Sequence, residues 1–293
     1  MATDQRVLKV AFIGLGVMGY PMAGHLQQKG LKVCVYNRTQ DKAAQWVTQY
    51  GGAMASTPAA AALDADLVML CVGNDQDVRS VVYGDEGVMS TMKPGAVLID
   101  HTTASADLAR ELAIACQSRQ LGFLDAPVSG GQIGAQNGLL TIMLGGEQTD
   151  FEKAEIVLAC YARSYQLLGA AGSGQLAKMV NQICIAGVVQ GLAEALHFAT
   201  QAGLDAKAVL AVISKGAAQS WQMENRGNTM VDGQFNFGFA VDWMRKDLGI
   251  TLDEARKNGA QLPLTALVDQ FYAELQAQGS GRLDTSSLIK RFQ

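Results

Sequence analysis

Three short stretches carry residue types that could do chemistry together. Gly14, Leu15, Gly16, Val17, Met18 and Gly19 spell G-x-G-x-x-G, directly after the apolar run at residues 8–13 and before a helical stretch. In that setting Gly14 permits a tight turn, Gly16 lets the backbone approach a pyrophosphate, and Gly19 lets helix and strand pack closely. Free amides and the macrodipole at the helix start favour the phosphates. A glycine turn alone would be an ordinary loop; flanked by strand, helix and second strand, it predicts a dinucleotide site. The second stretch is Ser129, Gly130 and Gly131, where a hydroxyl beside two glycine amides makes a small anion grip. The third holds Lys178 and Asn181, three apart and so on one helix face. Taken alone, a lysine on an apolar helix reads more simply as one that snorkels to the surface. The other reading is a poised amine. An ammonium within hydrogen-bond reach of a carbonyl oxygen stabilises the charge that builds during hydride addition and delivers the proton; the neutral amine takes a hydroxyl proton in reverse. Pinning a carboxylate at the grip fixes its distance to the reacting carbon and favours short acids.

The second apolar run, residues 31–36, ends at Asn37, Arg38 and Thr39. An NAD enzyme usually carries Asp or Glu there to hold the ribose 2′-OH. A guanidinium and a hydroxyl suit a 2′-phosphate instead, so the segment favours NADP(H), with NAD(H) possible. The bland reading of Arg38 is a solvated surface charge.

These residues need elements to hold them. Strand-like runs at residues 8–13, 31–36, 67–72, 96–100, 122–126 and 140–144 alternate with helical stretches at 20–29, 41–50 and 104–119. Such alternation predicts an α/β fold: a Rossmann-type, doubly wound parallel sheet with helices on both faces. From about Gly174 the chain reads as helix only, over 175–201, 205–215, 241–258 and 263–278. The expected organisation is a dinucleotide-binding domain over 1–170 and an all-helical substrate and oligomerisation domain over 171–293, joined through a long helix. That helix carries a wide apolar face (Leu176, Met179, Val180, Ile183, Val188, Leu192, Leu196), expected to be largely buried, and part of it is expected to face another subunit.

Composition narrows the function classes. The 293 residues are 49% hydrophobic and 17% charged, ample for packed cores and unlike a disordered chain. A formal charge of −4 leaves no electrostatic footprint for nucleic acid. No apolar run of membrane-spanning length lacks polar breaks, and the N-terminus lacks a signal-peptide layout, so no membrane is expected. Five scattered cysteines read as reduced thiols in a cytoplasmic protein, with Cys184 a small buried hydrophobe. Three distant histidines give no metal site. The twelve methionines read as core filler, and Trp221 as a pocket residue or a core anchor.

Four ordered motifs together resemble the β-hydroxyacid dehydrogenase family, which includes 3-hydroxyisobutyrate dehydrogenase, tartronate semialdehyde reductase and glyoxylate/succinic semialdehyde reductase. They are the glycine turn, DAPVSGG over 125–131, the G-x-x-x-K-x-x-N helix start, and KDLGI over 246–250 preceded by Phe239. The resemblance runs on to Asp284, Thr285 and Ser286. It implies Lys178 as acid/base, with Asn181 positioning that lysine or the reacting oxygen. It implies Ser129, Gly130 and Gly131 on the substrate carboxylate, Lys246 near nicotinamide and carboxylate, and Phe239 in the pocket wall. Thr102 and Thr103 match a Ser-Thr pair beside the nicotinamide ribose, and His101 is a bystander. Asn37, Arg38 and Thr39 are similar to the NADPH-using members. The family implies homodimers or homotetramers and a small carboxylate substrate, which the sequence leaves open among several semialdehydes and serine. Alternatives are an NAD-dependent 3-hydroxyisobutyrate or serine-type dehydrogenase, and a non-catalytic cofactor-binding oligomer, against which Lys178 and Asn181 argue. Imine reductases commonly lack the lysine. Phosphogluconate enzymes are longer and carry His-Asn where this chain has Val180-Asn181.

Overall fold

The computed structural model describes residues 8–292. Apolar runs become the strands of the sheet core, β1 (Lys9–Ile13), β2 (Lys32–Tyr36), β4 (Leu67–Leu70), β5 (Val97–Asp100), β6 (Gly122–Asp125) and β8 (Leu140–Gly146), while β3 (Ala53–Met54), β7 (Val128–Ser129) and β9 (Ala162–Leu167) are shorter or more exposed. Their order in the sheet is β3-β2-β1-β4-β5-β6-β8-β7, with β9 beside β8. The strands from β3 to β6 are mutually parallel, whereas β8 runs antiparallel to β6 and β7. This is the doubly wound topology that strand–helix alternation predicts.

Register decides where the chemistry emerges. Tyr36, Ile13, Leu70, Asp100 and Asp125 lie abreast as successive partners across β2, β1, β4, β5 and β6. The glycine turn, Asn37, Thr102 and the 126–131 segment therefore all leave one edge of the sheet, its carboxyl end. Period-2 alternation builds a core on each face. Phe12, Met69 and Ile99 pack on one side with α1 (Gly19–Gln28) and α2 (Gln40–Tyr50); Ile13, Leu70 and Leu98 face the other. The helices α3 (Pro58–Ala62), α4 (Asp75–Val82), α5 (Ala106–Gln117), α6 (Gly131–Gln136) and α7 (Gln148–Leu158) complete this half.

The chain divides into two compact units, Met1–Lys178 and Met179–Gln293, and one helix, α8 (Ser173–Gln201), runs through the division. In the second unit α9 (Ala206–Ile213), α10 (Trp221–Val231), α11 (Val241–Asn258) and α12 (Pro263–Ala277) surround a core of Leu192, Leu196, Met244, Leu248, Val268 and Tyr272.

Some expectations need correction. Val180 and Val188 are 60% and 38% exposed, and Cys184 between them is exposed rather than buried. These three share an i, i+4, i+8 stripe, whereas Met179, Ala186, Val189, Ala193 and Leu196 form the stripe that faces the core. Trp221 is 44% exposed and lies against the Arg226 guanidinium, so it is no core anchor. By length and composition α8 could cross a membrane, but Gln182 and Gln190 on it are buried and bonded to Asp247 and Glu194, as in a helix packed within a protein. Several elements are not expected from the sequence: β3 and β7 have two residues each, β9 has no buried residue, α3, α4 and α6 are short, α7 is 11 residues long with a narrow buried face, and α10 is polar around most of its surface.

Candidate active site

The glycine turn has the shape a pyrophosphate needs. Gly14 adopts φ +100°, and a Cβ there would collide with the Cys71 carbonyl. A Cβ at Gly19 would strike the Gly14 carbonyl oxygen, whereas one at Gly16 would meet nothing within 4 Å. Two glycines thus close the turn, and the middle one leaves an open approach. Helix α1 begins without a side-chain cap and without an acidic residue in its first turn, so its leading amides remain suited to an anion. The residues present fit a dinucleotide. Leu15 and Met18 fill the turn, and Val17 stands 52% exposed at its rim.

Asn37 is bonded to the glycine turn. Its Oδ1 accepts the Leu15 N–H at 2.9 Å and its Nδ2 donates to the Thr39 carbonyl at 3.0 Å, so the side chain braces the glycine turn. Arg38 is left to face outward, with its side chain 88% exposed and its Nη1 3.6 Å from Asp77 Oδ1. Thr39 is exposed at the start of α2 and makes no capping bond with its side chain.

At the ends of β5 and β6 the polar groups are buried and bonded. Thr102 is 2% exposed; its N–H donates to Asp100 Oδ1 at 2.9 Å and its Oγ1 accepts the Val72 N–H at 3.1 Å. That hydroxyl serves the fold, and half-buried Thr103 is the member of the pair nearer solvent. His101 is bonded to the Ala126 carbonyl and the Tyr161 hydroxyl, and burial pushes its pKa down to about 4. It is a neutral imidazole bonded within the core. Burial pushes Asp100 up to about 7 and Asp125 up to about 6.

Beyond Asp125 the chain turns through Pro127 and Val128 to Ser129, half-buried at the end of β7, then to Gly130 and Gly131, exposed at φ +128° and +60°. Only glycine takes both conformations without strain, so the backbone here can present its amides to an anion. Lys178 lies in the second turn of α8 and is only 7% exposed. That is the reverse of a snorkelling lysine.

In the second unit Asn181, Gln182, Asp247 and Lys246 form a chain. Asn181 Nδ2 donates to Gln182 Oε1 at 2.8 Å, Gln182 Nε2 donates to Asp247 Oδ2 at 2.6 Å, and Asp247 Oδ1 lies 3.2 Å from Lys246 Nζ. Gln182 and Asp247 were not singled out from the sequence. The available signal was adjacency, since each directly follows a residue that was. Phe239 is half-buried just before α11, its carbonyl accepting the Thr285 N–H. No group of three metal-ligating side chains occurs among the described residues.

The chain is similar to known proteins over nearly its whole length. The model for the NAD-binding domain of 6-phosphogluconate dehydrogenase matches residues 9–169, and that for the NAD-binding region of NADP-dependent 3-hydroxyisobutyrate dehydrogenase matches 172–292. The chain is 64% identical to an uncharacterized oxidoreductase of Shewanella frigidimarina, over 97% of this chain and 98% of that one. It is 41% identical to the probable 3-hydroxyisobutyrate dehydrogenase-like 1, mitochondrial, of Arabidopsis thaliana, over 96% and 84%. The solved structure of Mycobacterium tuberculosis 3-hydroxyisobutyrate dehydrogenase with L-serine superposes with a TM-score of 0.86 at 31% identity, over 98% and 99% of the two chains.

Proposed function

This chain belongs to the β-hydroxyacid dehydrogenase family, and from that premise we propose that it transfers hydride between NADPH and a short carboxylate-bearing aldehyde, with Lys178 as acid/base. It is an NAD(P)-dependent oxidoreductase acting on CH–OH donors. The observation that carries the finer reading is the burial of Lys178 beside the start of α8. A lysine kept from water there serves a purpose that a surface lysine does not.

When bound, the reduced nicotinamide supplies hydride from C4. Ser129 and the amides of Gly130 and Gly131 hold the substrate carboxylate. Lys178 Nζ donates a hydrogen bond to the carbonyl oxygen and then its proton as the alkoxide forms; in the oxidative direction the neutral amine takes the hydroxyl proton. Asn181, braced by Gln182 and Asp247, orients the reacting oxygen or the amine, and Lys246 assists with the carboxylate. Phe239 supplies apolar wall, and Thr103 fits the ribose edge better than Thr102 does.

Arg38 supports NADPH, since an exposed guanidinium can take a 2′-phosphate in two bonds. Asp77 favours the second reading, NADH, because its carboxylate draws on the same guanidinium and repels a phosphate. The exposed stripe of Val180, Cys184 and Val188 supports a homodimer or homotetramer. A steady-state screen of short semialdehydes against NADPH and NADH tests the whole reading. Turnover of at least one ω-carboxyl aldehyde with a higher kcat/KM for NADPH is the expected result. Turnover only of uncharged carbonyl compounds would reject the carboxylate grip.

A further inference from the structure

The polar groups at the start of α8 are bonded in an arrangement that the hydride chemistry alone does not call for. Asp125, the last residue of β6, is 0% exposed. Its Oδ1 accepts the Gly172 N–H at 2.7 Å, and its Oδ2 accepts the Gln175 N–H at 2.8 Å. Those amides belong to the opening turn of α8 and the residue just before it, 47 and 50 positions along the chain. The fit leaves no slack. A Cβ at Gly174 would lie 2.8 Å from Asp125 Oδ2 and 2.5 Å from the Met143 carbonyl; one at Gly145 would lie 2.5 Å from Asp125 Oδ1. Gln175, 1% exposed, makes a second tie: its Nε2 donates to the Thr102 carbonyl at 2.7 Å, and its Oε1 accepts the Ala104 N–H at 3.0 Å.

We infer that Asp125 and Gln175 are positioning residues that clamp the first turn of α8 to the ends of β6 and β5, and so set where Lys178 stands relative to the anion grip and the Thr102–Thr103 segment. The inference rests on Lys178 acting as acid/base. Lys178 follows Gln175 by three residues, less than one helical turn. Ser129 follows Asp125 by four. One carboxylate therefore joins, through short rigid paths, the group that grips the substrate's far end to the group that meets its reacting oxygen. A buried carboxylate is costly unless fully hydrogen-bonded, and an ordinary helix cap needs only one Ser, Thr, Asp or Asn side chain just before the helix. Helices α4, α5, α9 and α10 in this chain use the ordinary device. The two-point tie gives α8 a fixed rotation as well as a satisfied end. Chemistry that depends on near-attack geometry is sensitive to such a constraint at the ångström level.

Asp125→Asn and Gln175→Ala test this, with Lys178→Ala as the control for the underlying reading. Kinetics are measured per folded site, counted by nucleotide fluorescence titration. The expected result is a loss in kcat of about 100-fold for Asp125→Asn and about 10-fold for Gln175→Ala, with KM for the carboxylate substrate and Kd for the nucleotide within about threefold of wild type. A helix cap that only stabilises the fold would lower the number of sites and the melting temperature but leave kcat per site unchanged; that outcome overturns the inference. If Asp125→Asn does not fold, Gln175→Ala decides alone. Wild-type turnover by Lys178→Ala would instead reject the acid/base reading itself.

Discussion

The carboxyl ends of β6 and β2 handle charge in opposite ways. At β6 the charged residue is Asp125, without exposed surface and bonded to two backbone amides, one in the opening turn of α8 and one just before it. At β2 it is Arg38, 88% exposed, with one loose carboxylate neighbour. On the reading proposed above, the first end holds the reacting amine in place, where a displacement of an ångström changes the rate steeply. The second end would, on the same reading, face the outer rim of the nucleotide, where solvent screens charge and a side chain contributes modestly. The buried region should therefore govern turnover, and the exposed region should govern cofactor choice without touching the chemical step.

Three substitutions would break or sharpen that contrast. Lys178→Arg keeps a cation but replaces the ammonium with a guanidinium, which does not deprotonate in proteins. kcat should fall by about 100-fold or more, with nucleotide affinity unchanged; retention of kcat would mean that charge alone suffices and no proton moves from this side chain. Ser129→Ala removes one bond to the substrate carboxylate and should raise KM by about 10- to 100-fold with little change in kcat, as expected for a bond to a charged group made equally in ground and transition states. Arg38→Ala at the exposed end should raise KM for NADPH by about 10-fold and leave NADH kinetics as they were. An equal effect on both cofactors would remove Arg38 from any role in selectivity.

The smallest effect concerns stability. His101 has its folded pKa depressed from 6.5 to about 4, so the folded state binds fewer protons than the unfolded state between those values. Its contribution is present above about pH 6.5 and is lost as pH falls toward 4. His101→Gln should therefore be less stable than wild type at pH 7, by a few degrees in Tm, and the deficit should narrow as the pH is lowered. Asp100 and Asp125 act with the opposite sign, since their raised values remove stability as pH climbs from about 4 through 6 and 7. Comparing variant with wild type at each pH cancels them. A deficit constant with pH would show that His101 does not titrate with folding.

What could be read from the sequence was what is local. The glycine turn, the strand pattern and the alignment of Lys178 with Asn181 each depend on spacing over a few residues, and the folded chain contains them. The partners of Asp125 and Gln182 were not readable, because Gly172 and Asp247 lie 47 and 65 positions away. Asn37 illustrates the same limit: its type suggested the absence of a carboxylate, while its bond to Leu15 follows only from the parallel pairing of β1 with β2. Cys184 misled for another reason. It sits amid an apolar helix, and only the three-dimensional packing tells which of two apolar stripes the second unit covers.

Single-turnover hydride transfer in Lys178→Ala, followed by the decay of reduced-nicotinamide absorbance with saturating NADPH and a semialdehyde that the wild type turns over, tests the central claim most directly. The account predicts a rate lower by about 1,000-fold with an unchanged nucleotide Kd. A transfer rate equal to that of the wild type would contradict it.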